Sequence, residues 1–331
     1  MERRKLRVVF FGTAEFAVPS LEALLEAGHA ILAVVTQPDK PQGRGRQLAA
    51  SPVKKTAERH GLTVLQPKRV RAASFIETMR ALAPDVLALA AFGQIIPQAL
   101  LDLPPLGPIN VHGSLLPKYR GAAPIQRAIM AGETVTGVTT MWMEATLDTG
   151  DVLLAESVPI EPDDTAGTLT PKLAALGARL LVDTLDGLAA GTIARHPQDD
   201  SLATYAPAIT PEDGYLRWEE PAEVIRNRLR GVTPKPGAFA AIKGRRVKVW
   251  SAQVASASVG DALPGTVLAL SRAPSGVLVA AGAGTALLLT EVQPESGRRM
   301  PAADWARGLH LTPGDVCAAL TAAASLSQGE G

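Results

Sequence analysis

Asn110-Val111-His112-Gly113-Ser114-Leu115-Leu116-Pro117-Lys118-Tyr119-Arg120-Gly121-Ala122-Ala123-Pro124 decides how the chain is read. It begins at the end of an apolar run, crosses a Gly/Pro loop and feeds an amphipathic helix near Ala123. If residues 109–112 are extended, Asn110 and His112 leave the same face of the strand. Ligands of α/β sheets sit at the C-terminal ends of strands. An amide and an imidazole side by side suit acyl chemistry: the amide N–H holds a developing oxyanion and the imidazole carries a proton. Asn is scarce in this chain, occurring only at 110 and 227. The competing reading makes Asn110 a turn cap and His112 a hydrogen-bonded core histidine.

Upstream, Arg7 to Gly12 reads as a buried first strand, followed by a helix over about 17–28 that Gly28 ends, and a second strand over 31–36. This is a βαβ opening, for which a right-handed parallel crossover is expected. It lacks G-x-G-x-x-G, so a dinucleotide oxidoreductase is disfavoured. Residues 37–50 form a loop longer than the usual βα connection of about 2–6 residues. The loop carries Lys40, Arg44 and Arg46 on a Gly/Pro-rich backbone, a composition suited to phosphate contact. Ser51-Pro52 starts the next helix, with Ser51 as N-cap. Strands over 85–91 and 107–112, a helix over 123–131 and an alternating strand over 137–143 follow. Then come a strand over 151–159 and a long helix over 168–191. Alternation of strands and helices implies a Rossmann-like, parallel-rich sheet domain.

After residue 191 the pattern changes. Residues 192–211 read as a linker. One helix over 221–230 precedes five short β-like runs: 238–242, 246–250, 265–270, 276–280 and 286–292. Gly and Pro punctuate them, as in a small OB-like β-barrel. The expected organisation is therefore a catalytic domain over 1–191, the linker 192–211, a barrel over 212–315 and a frayed tail over 316–331.

The chain has 331 residues, 47% hydrophobic and 20% charged, so about two domains with a sizeable core are expected. No apolar run approaches the roughly 20 residues of a membrane span. Residues 6–11 are too short and strand-like for a signal peptide, so a cytoplasmic location is expected. The lone Cys317 excludes an internal disulfide, and the five histidines are scattered, so no metal site is expected. The net charge of +1 hides an asymmetry. Residues 1–71 hold 13 Lys/Arg against 6 Asp/Glu, residues 72–210 hold 7 against 15, and residues 211–310 hold 13 against 9. Two basic segments around an acidic middle fit a discontinuous polyanion surface or, equally, solvated faces with no partner.

Leu147-Asp148-Thr149-Gly150-Asp151 joins two strands. Asp148 is either a turn residue or a carboxylate that orients His112.

Together these residues resemble the folate-dependent formyltransferases. The resemblance rests on Asn110-x-His112, Ser114-Leu-Leu-Pro117, Tyr119 to Gln126 and Leu147 to Asp151. Phe11 to Ala17, Thr36 to Asp39, Gly43 to Arg46, Ser51 to Lys54 and Val247 to Trp250 narrow it to the branch acting on methionyl-tRNA. It covers about residues 6–310, with Ala14 standing where the family usually has Pro. It implies transfer of the formyl group of 10-formyltetrahydrofolate to the α-amino group of initiator methionyl-tRNA, with no metal required; a monomer is expected besides. By the same resemblance Asn110 would hold the oxyanion, His112 would stabilise the same oxygen or carry the proton, and Asp148 would orient His112 or accept the proton through water. Ser114, Leu115, Leu116 and Pro117 would line the folate site, and Lys40, Arg44 and Arg46 would grip the tRNA acceptor end. Two alternatives stand beside this: a formyltransferase acting on a small amine, and a non-catalytic RNA-binding protein.

Overall fold

The computed structural model describes residues 4–42 and 47–318. They fall into two compact units. The first comprises residues up to Pro124 with Val135–Pro159 and Thr170–Ala206. The second comprises Ile125–Thr134, Ile160–Leu169 and everything from Pro207.

The first unit is built on β1 (Arg7–Gly12), α1 (Val18–Glu26), β2 (Ala30–Val35), β3 (Lys40–Gln42), β4 (Gln47–Ala49), α2 (Pro52–Arg59), β5 (Val64–Leu65), α3 (Ala73–Leu82), β6 (Val86–Ala90), α4 (Gln98–Leu101) and β7 (Pro108–His112). It continues through α5 (Pro124–Met130), β8 (Val135–Trp142), β9 (Val152–Pro159) and α6 (Ala166–Ala190), of which α5 and the start of α6 group with the second unit. The main sheet runs β5-β2-β1-β6-β7-β8-β9. β5, β2, β1, β6 and β7 are parallel, and β8 and β9 are added antiparallel. This is the parallel-rich α/β sheet expected from the sequence. Strand order reverses between β1 and β6, the place where such sheets open a crevice at their C-terminal ends. Thr13 and Gln37, just past β1 and β2, both bond the Phe92 carbonyl just past β6 (2.9 Å each), which ties these ends together.

Two local expectations are corrected. Within the 37–50 segment, expected as a loop, β3 and β4 pair antiparallel, Lys40 against Ala49 and Pro41 against Leu48. Strands this short, with a Pro in one of them, carry no readable period. β8 does not alternate; its residues 136–141 are all buried. The cause is cover on both faces. A Cβ on Gly177 of α6 would lie 3.3 Å from Val138, and Thr184 of α6 bonds Thr140 at 2.7 Å. On the other face Thr139 bonds the Ser114 carbonyl at 2.7 Å.

The second unit holds α7 (Ala222–Val232), β10 (Ala238–Ile242), β11 (Arg245–Ala255), β12 (Val267–Arg272), β13 (Ser275–Ala281), β14 (Thr285–Pro294), β15 (Met300–Pro301), α8 (Ala302–Gly308) and β16 (Cys317–Ala318). The antiparallel order is β12-β13-β14-β11-β10-β16. Val316 bridges Thr266, and Cys317 N–H donates to the Gly265 carbonyl at 2.7 Å, so the two edge strands meet and the sheet curls on itself. Such closure removes the exposed edges that invite aggregation. The interior is filled by Leu216, Trp218, Val249, Leu287, Leu289 and Trp305 among others.

The proposed boundaries also meet the structure. Residues 192–206 are not free-standing: His196 pairs with Val152, and Tyr205 with Arg120. They lack an apolar period because backbone and side-chain hydrogen bonds hold them instead. Val316 to Ala318, assigned above to a frayed tail, belong to the curled sheet.

Within the second unit Arg127 donates two bonds of 2.8 Å to the Asp213 carboxylate, which also accepts from the Thr210 N–H. Burial pushes the Asp213 carboxyl up, but the Arg127 and Thr210 bonds outweigh it and hold it below the ordinary 3.8. A carboxyl held low adds stability above its unfolded pKa and loses it as pH falls through the folded value. Asp213→Asn is expected to lower stability in urea by about 1.5 kcal/mol at pH 7. The difference from the parent should close as the pH is taken below 3.8.

Candidate active site

β7 lies between β6 and β8, so its backbone groups are held on both sides. Val111 faces α6: a Cβ on Gly177 would fall 2.7 Å from Val111 Cγ1. Period two then turns Asn110 and His112 to the opposite face. There they stand beside their antiparallel partners Met141 and Thr139. His112 is 5% exposed, whereas Asn110 is half-buried. The Asn110 amide has no hydrogen-bond partner among the described residues.

His112 Nε2 lies 2.9 Å from the Tyr119 carbonyl. A carbonyl only accepts, so Nε2 carries the proton. Nδ1 faces Asp148 Oδ2 at 3.6 Å, too long for a direct hydrogen bond and within reach of a charged or proton-mediated contact. The same Asp148 oxygen accepts from the Gly121 N–H at 2.8 Å. The His112 ring and the Asp148 carboxylate, far apart in the chain, thus face one another, Asp148 coming from the loop between β8 and β9. Asp148 and Tyr119 both adopt the left-handed conformation (φ 53° and 62°) that non-glycine residues rarely take. Such strained positions cluster where the surroundings over-determine the backbone.

The Ser114–Pro117 stretch is fixed by its own bonds. Ser114 is fully buried, and its hydroxyl donates to the Lys118 carbonyl at 2.6 Å. Thr139 Oγ1 donates to the Ser114 carbonyl and accepts from the Leu116 N–H (3.1 Å). The Leu116–Pro117 peptide is cis. The Ser114 hydroxyl is thus taken up inside the loop, and what the stretch offers outward is half-buried Leu115, Leu116 and Pro117. A cleft of about 540 Å³ opens beside the Asp148 loop, lined by Gln98, Leu101, Asp102, Trp142, Met143 and Thr146 among others. That is within the size range of small-ligand sites. None of Asn110, His112 and Asp148 is among the residues that line it.

Lys40 belongs to a separate cluster. Its Nζ donates to Gln37 Oε1 at 2.6 Å, and Gln37 in turn donates to the Phe92 and Gly93 carbonyls. Arg44 and Arg46 lie outside the described residues. Among the described residues no group of three or more His, Cys, Asp or Glu is placed to hold a metal ion, and no helix is long and apolar enough to cross a membrane.

Two residues unread in the sequence stand out. Arg120 is 2% exposed, and its guanidinium donates to Gln198 Oε1 (3.1 and 2.8 Å) and to Asp200 (2.7 Å). Gln198 donates to the carbonyls of Asp148 (2.9 Å) and Gly150 (2.7 Å). Arg120 was visible inside the quoted motif; Gln198 has no local signal in the sequence.

Residues 5–185 match the formyl transferase family model, and residues 208–310 match the C-terminal domain of the same family. The methionyl-tRNA formyltransferase of Moorella thermoacetica is 48% identical over 94% of this chain and 99% of its own length. That of Solibacter usitatus is 52% identical over 93% and 97%. Among solved structures, an N-formyltransferase from Helicobacter canadensis in complex with folinic acid and dTDP-3-aminofucose shares the fold. Its TM-score is 0.62 at 17% identity, covering 88% of this chain and all of that one. The two family models and relatives at about half identity agree: the chain belongs to the formyl transferase family, among its methionyl-tRNA formyltransferases.

Proposed function

We infer that this enzyme transfers the formyl group of 10-formyltetrahydrofolate to the α-amino group of methionyl-tRNA. The reading includes initiator tRNA as the substrate, a monomer and a cytoplasmic location. The observation that carries it is the extent of the likeness. Relatives named methionyl-tRNA formyltransferase are 46–52% identical over 93–94% of the chain, through the curled sheet as well as the α/β unit.

The residues present fit such a donor. An amide with no hydrogen-bond partner among the described residues and a buried imidazole share one face of β7. The folate supplies the formyl carbon as an electrophile. A peptide-like α-amino group titrates near 7.7–8.0, so a useful fraction is already neutral at pH 7. What needs help is the negative charge on the formyl oxygen and the proton leaving the attacking nitrogen. Asn110 Nδ2–H donates to that oxygen. His112 keeps Nε2–H on the Tyr119 carbonyl, so Nδ1 is the position that takes the proton. Asp148 balances the positive ring. The nitrogen that leaves the formyl carbon needs one proton and the amine gives up one, so His112 ends the cycle as it began. Leu115 to Pro117 shape the folate side. Lys40, Arg44 and Arg46, together with the basic second domain, hold the tRNA phosphates.

Purified enzyme with 10-formyltetrahydrofolate and methionyl-tRNA should yield formylmethionyl-tRNA, and with a nucleotide-linked amino sugar it should yield nothing. Equal use of the sugar would move the enzyme to the small-amine class. Asn110→Ala should lower kcat by about 10²–10³. His112→Ala should stop transfer while folate binding, read by fluorescence, persists; retained transfer removes His112 from the chemistry. Arg44→Ala should raise KM for methionyl-tRNA and flatten its dependence on salt by about one phosphate contact. KM for the folate should stay unchanged, and an equal rise in both constants would count against a tRNA contact.

A further inference from the structure

We propose that Gln198, held by Arg120, is a positioning residue that sets the separation of His112 and Asp148. The inference rests on the roles given above to those two groups. Gln198 lies in the 192–206 segment, far along the chain from either of them, and touches no reacting atom. Its amide links the two loops that carry the catalytic contacts.

The contacts form a closed circuit. Tyr119 supplies the carbonyl for His112 Nε2, and Gly121 supplies the N–H for Asp148 Oδ2. Arg120 is the residue between them. The Arg120 guanidinium points away from both and donates twice to Gln198 Oε1. The Gln198 amide nitrogen then donates to the carbonyls of Asp148 and Gly150. One side chain thus ties the 119–121 turn to the backbone of the residue whose carboxylate that turn also grips. Both hydrogens of the amide are used, and the acceptor oxygen takes two bonds from a single guanidinium. An amide is the one side-chain group able to meet a cationic donor at one end and two carbonyls at the other.

The need for such a tie follows from the strain. Asp148 sits at φ 53°, a conformation that costs an aspartate free energy and that local sequence does not enforce. Two bonds to carbonyls on either side of Thr149 hold the turn in that state. Without them the loop relaxes toward ordinary φ, and the carboxylate moves relative to Nδ1. A misplacement of about 1 Å in a reacting constellation can cost on the order of 10²-fold in rate.

The deciding comparison is Gln198→Glu with Gln198→Ala. Glutamate keeps the acceptor for Arg120 but loses both donors to the Asp148 and Gly150 carbonyls. Steady-state formylation of methionyl-tRNA is measured alongside the thermal midpoint and near-ultraviolet circular dichroism. Both variants should remain folded and lose about 10- to 100-fold in kcat. KM for methionyl-tRNA and for 10-formyltetrahydrofolate should each stay within about threefold, because neither substrate touches Gln198. Three results would overturn the proposal: kcat near the parent's in either variant, KM rising in step with any loss of kcat, or loss of the fold. Activity restored by glutamate alone would show that the Arg120 contact matters and the carbonyl clamp does not. His112→Ala serves as the reference. If it is inactive while the Gln198 variants are fully active, only the positioning role fails. If it is active, the assignment of the site fails with it.

Discussion

One turn of three residues, Tyr119 to Gly121, holds both His112 and Asp148, the pair assigned above to proton transfer. Its carbonyl faces the imidazole and its N–H grips the carboxylate. Peptide groups carry no titratable charge near neutral pH, so the partners they offer to His112 and Asp148 do not change with protonation. Anchoring both to one peptide turn keeps their geometry constant. The turn tolerates little change. Tyr119 is left-handed, and Gly121 has φ 123° with room for no side chain, since a Cβ would fall 2.7 Å from the Ala206 carbonyl. A glycine is required there for both reasons.

The rigid frame behind this turn is the sheet. β7 is an interior strand, and the alternation of its side chains separates packing from chemistry within three residues. Val111 fills the face covered by α6, while Asn110 and His112 take the other. Close approach of that helix depends on Gly177, where any side chain would meet Val111 and Val138. Thr139, directly across from His112, then fixes the start of the loop by bonding both Ser114 and Leu116. A buried hydroxyl that donates to one backbone group and accepts from another leaves the loop no unsatisfied polar atom at that point. The active face is thus made by the same register that makes the core.

The sequence was most legible where physics is local. The period-two placement of Asn110 and His112, the Ser51 cap that accepts from Lys54, and strands β10 to β14 of the second unit need only neighbouring residues. Non-local contacts were not legible in this way. The approach of Asp148 to His112 was read through family resemblance, since spacing alone left it open. The Arg120–Gln198 bond joins residues 78 apart and had no signal at all. β8 misled because its alternation predicts one wet face, while α6 and the 114–116 loop cover both. The 192–206 segment looked like a linker because polar residues without a period suggest solvent. In the structure those same polar groups are the ones that make the bonds, and one of them is Gln198.

Two different physical demands explain why the chain has two parts. Formyl transfer needs a few groups held to within about 0.5 Å, which packed strands and saturated hydrogen bonds provide. Holding a nucleic acid needs many phosphate contacts, each weak, salt-dependent and tolerant of position. A sheet loop cannot meet both demands, because tolerance in the second would loosen the first. The distribution of charge follows that division: residues 72–210, which carry Asn110, His112, Asp148, Arg120 and Gln198, hold 7 Lys/Arg against 15 Asp/Glu, and the flanking segments hold the excess of basic residues. On the proposed function, the segment poor in basic residues carries the groups assigned to transfer, and the flanking segments carry the positive charge that phosphate contacts require.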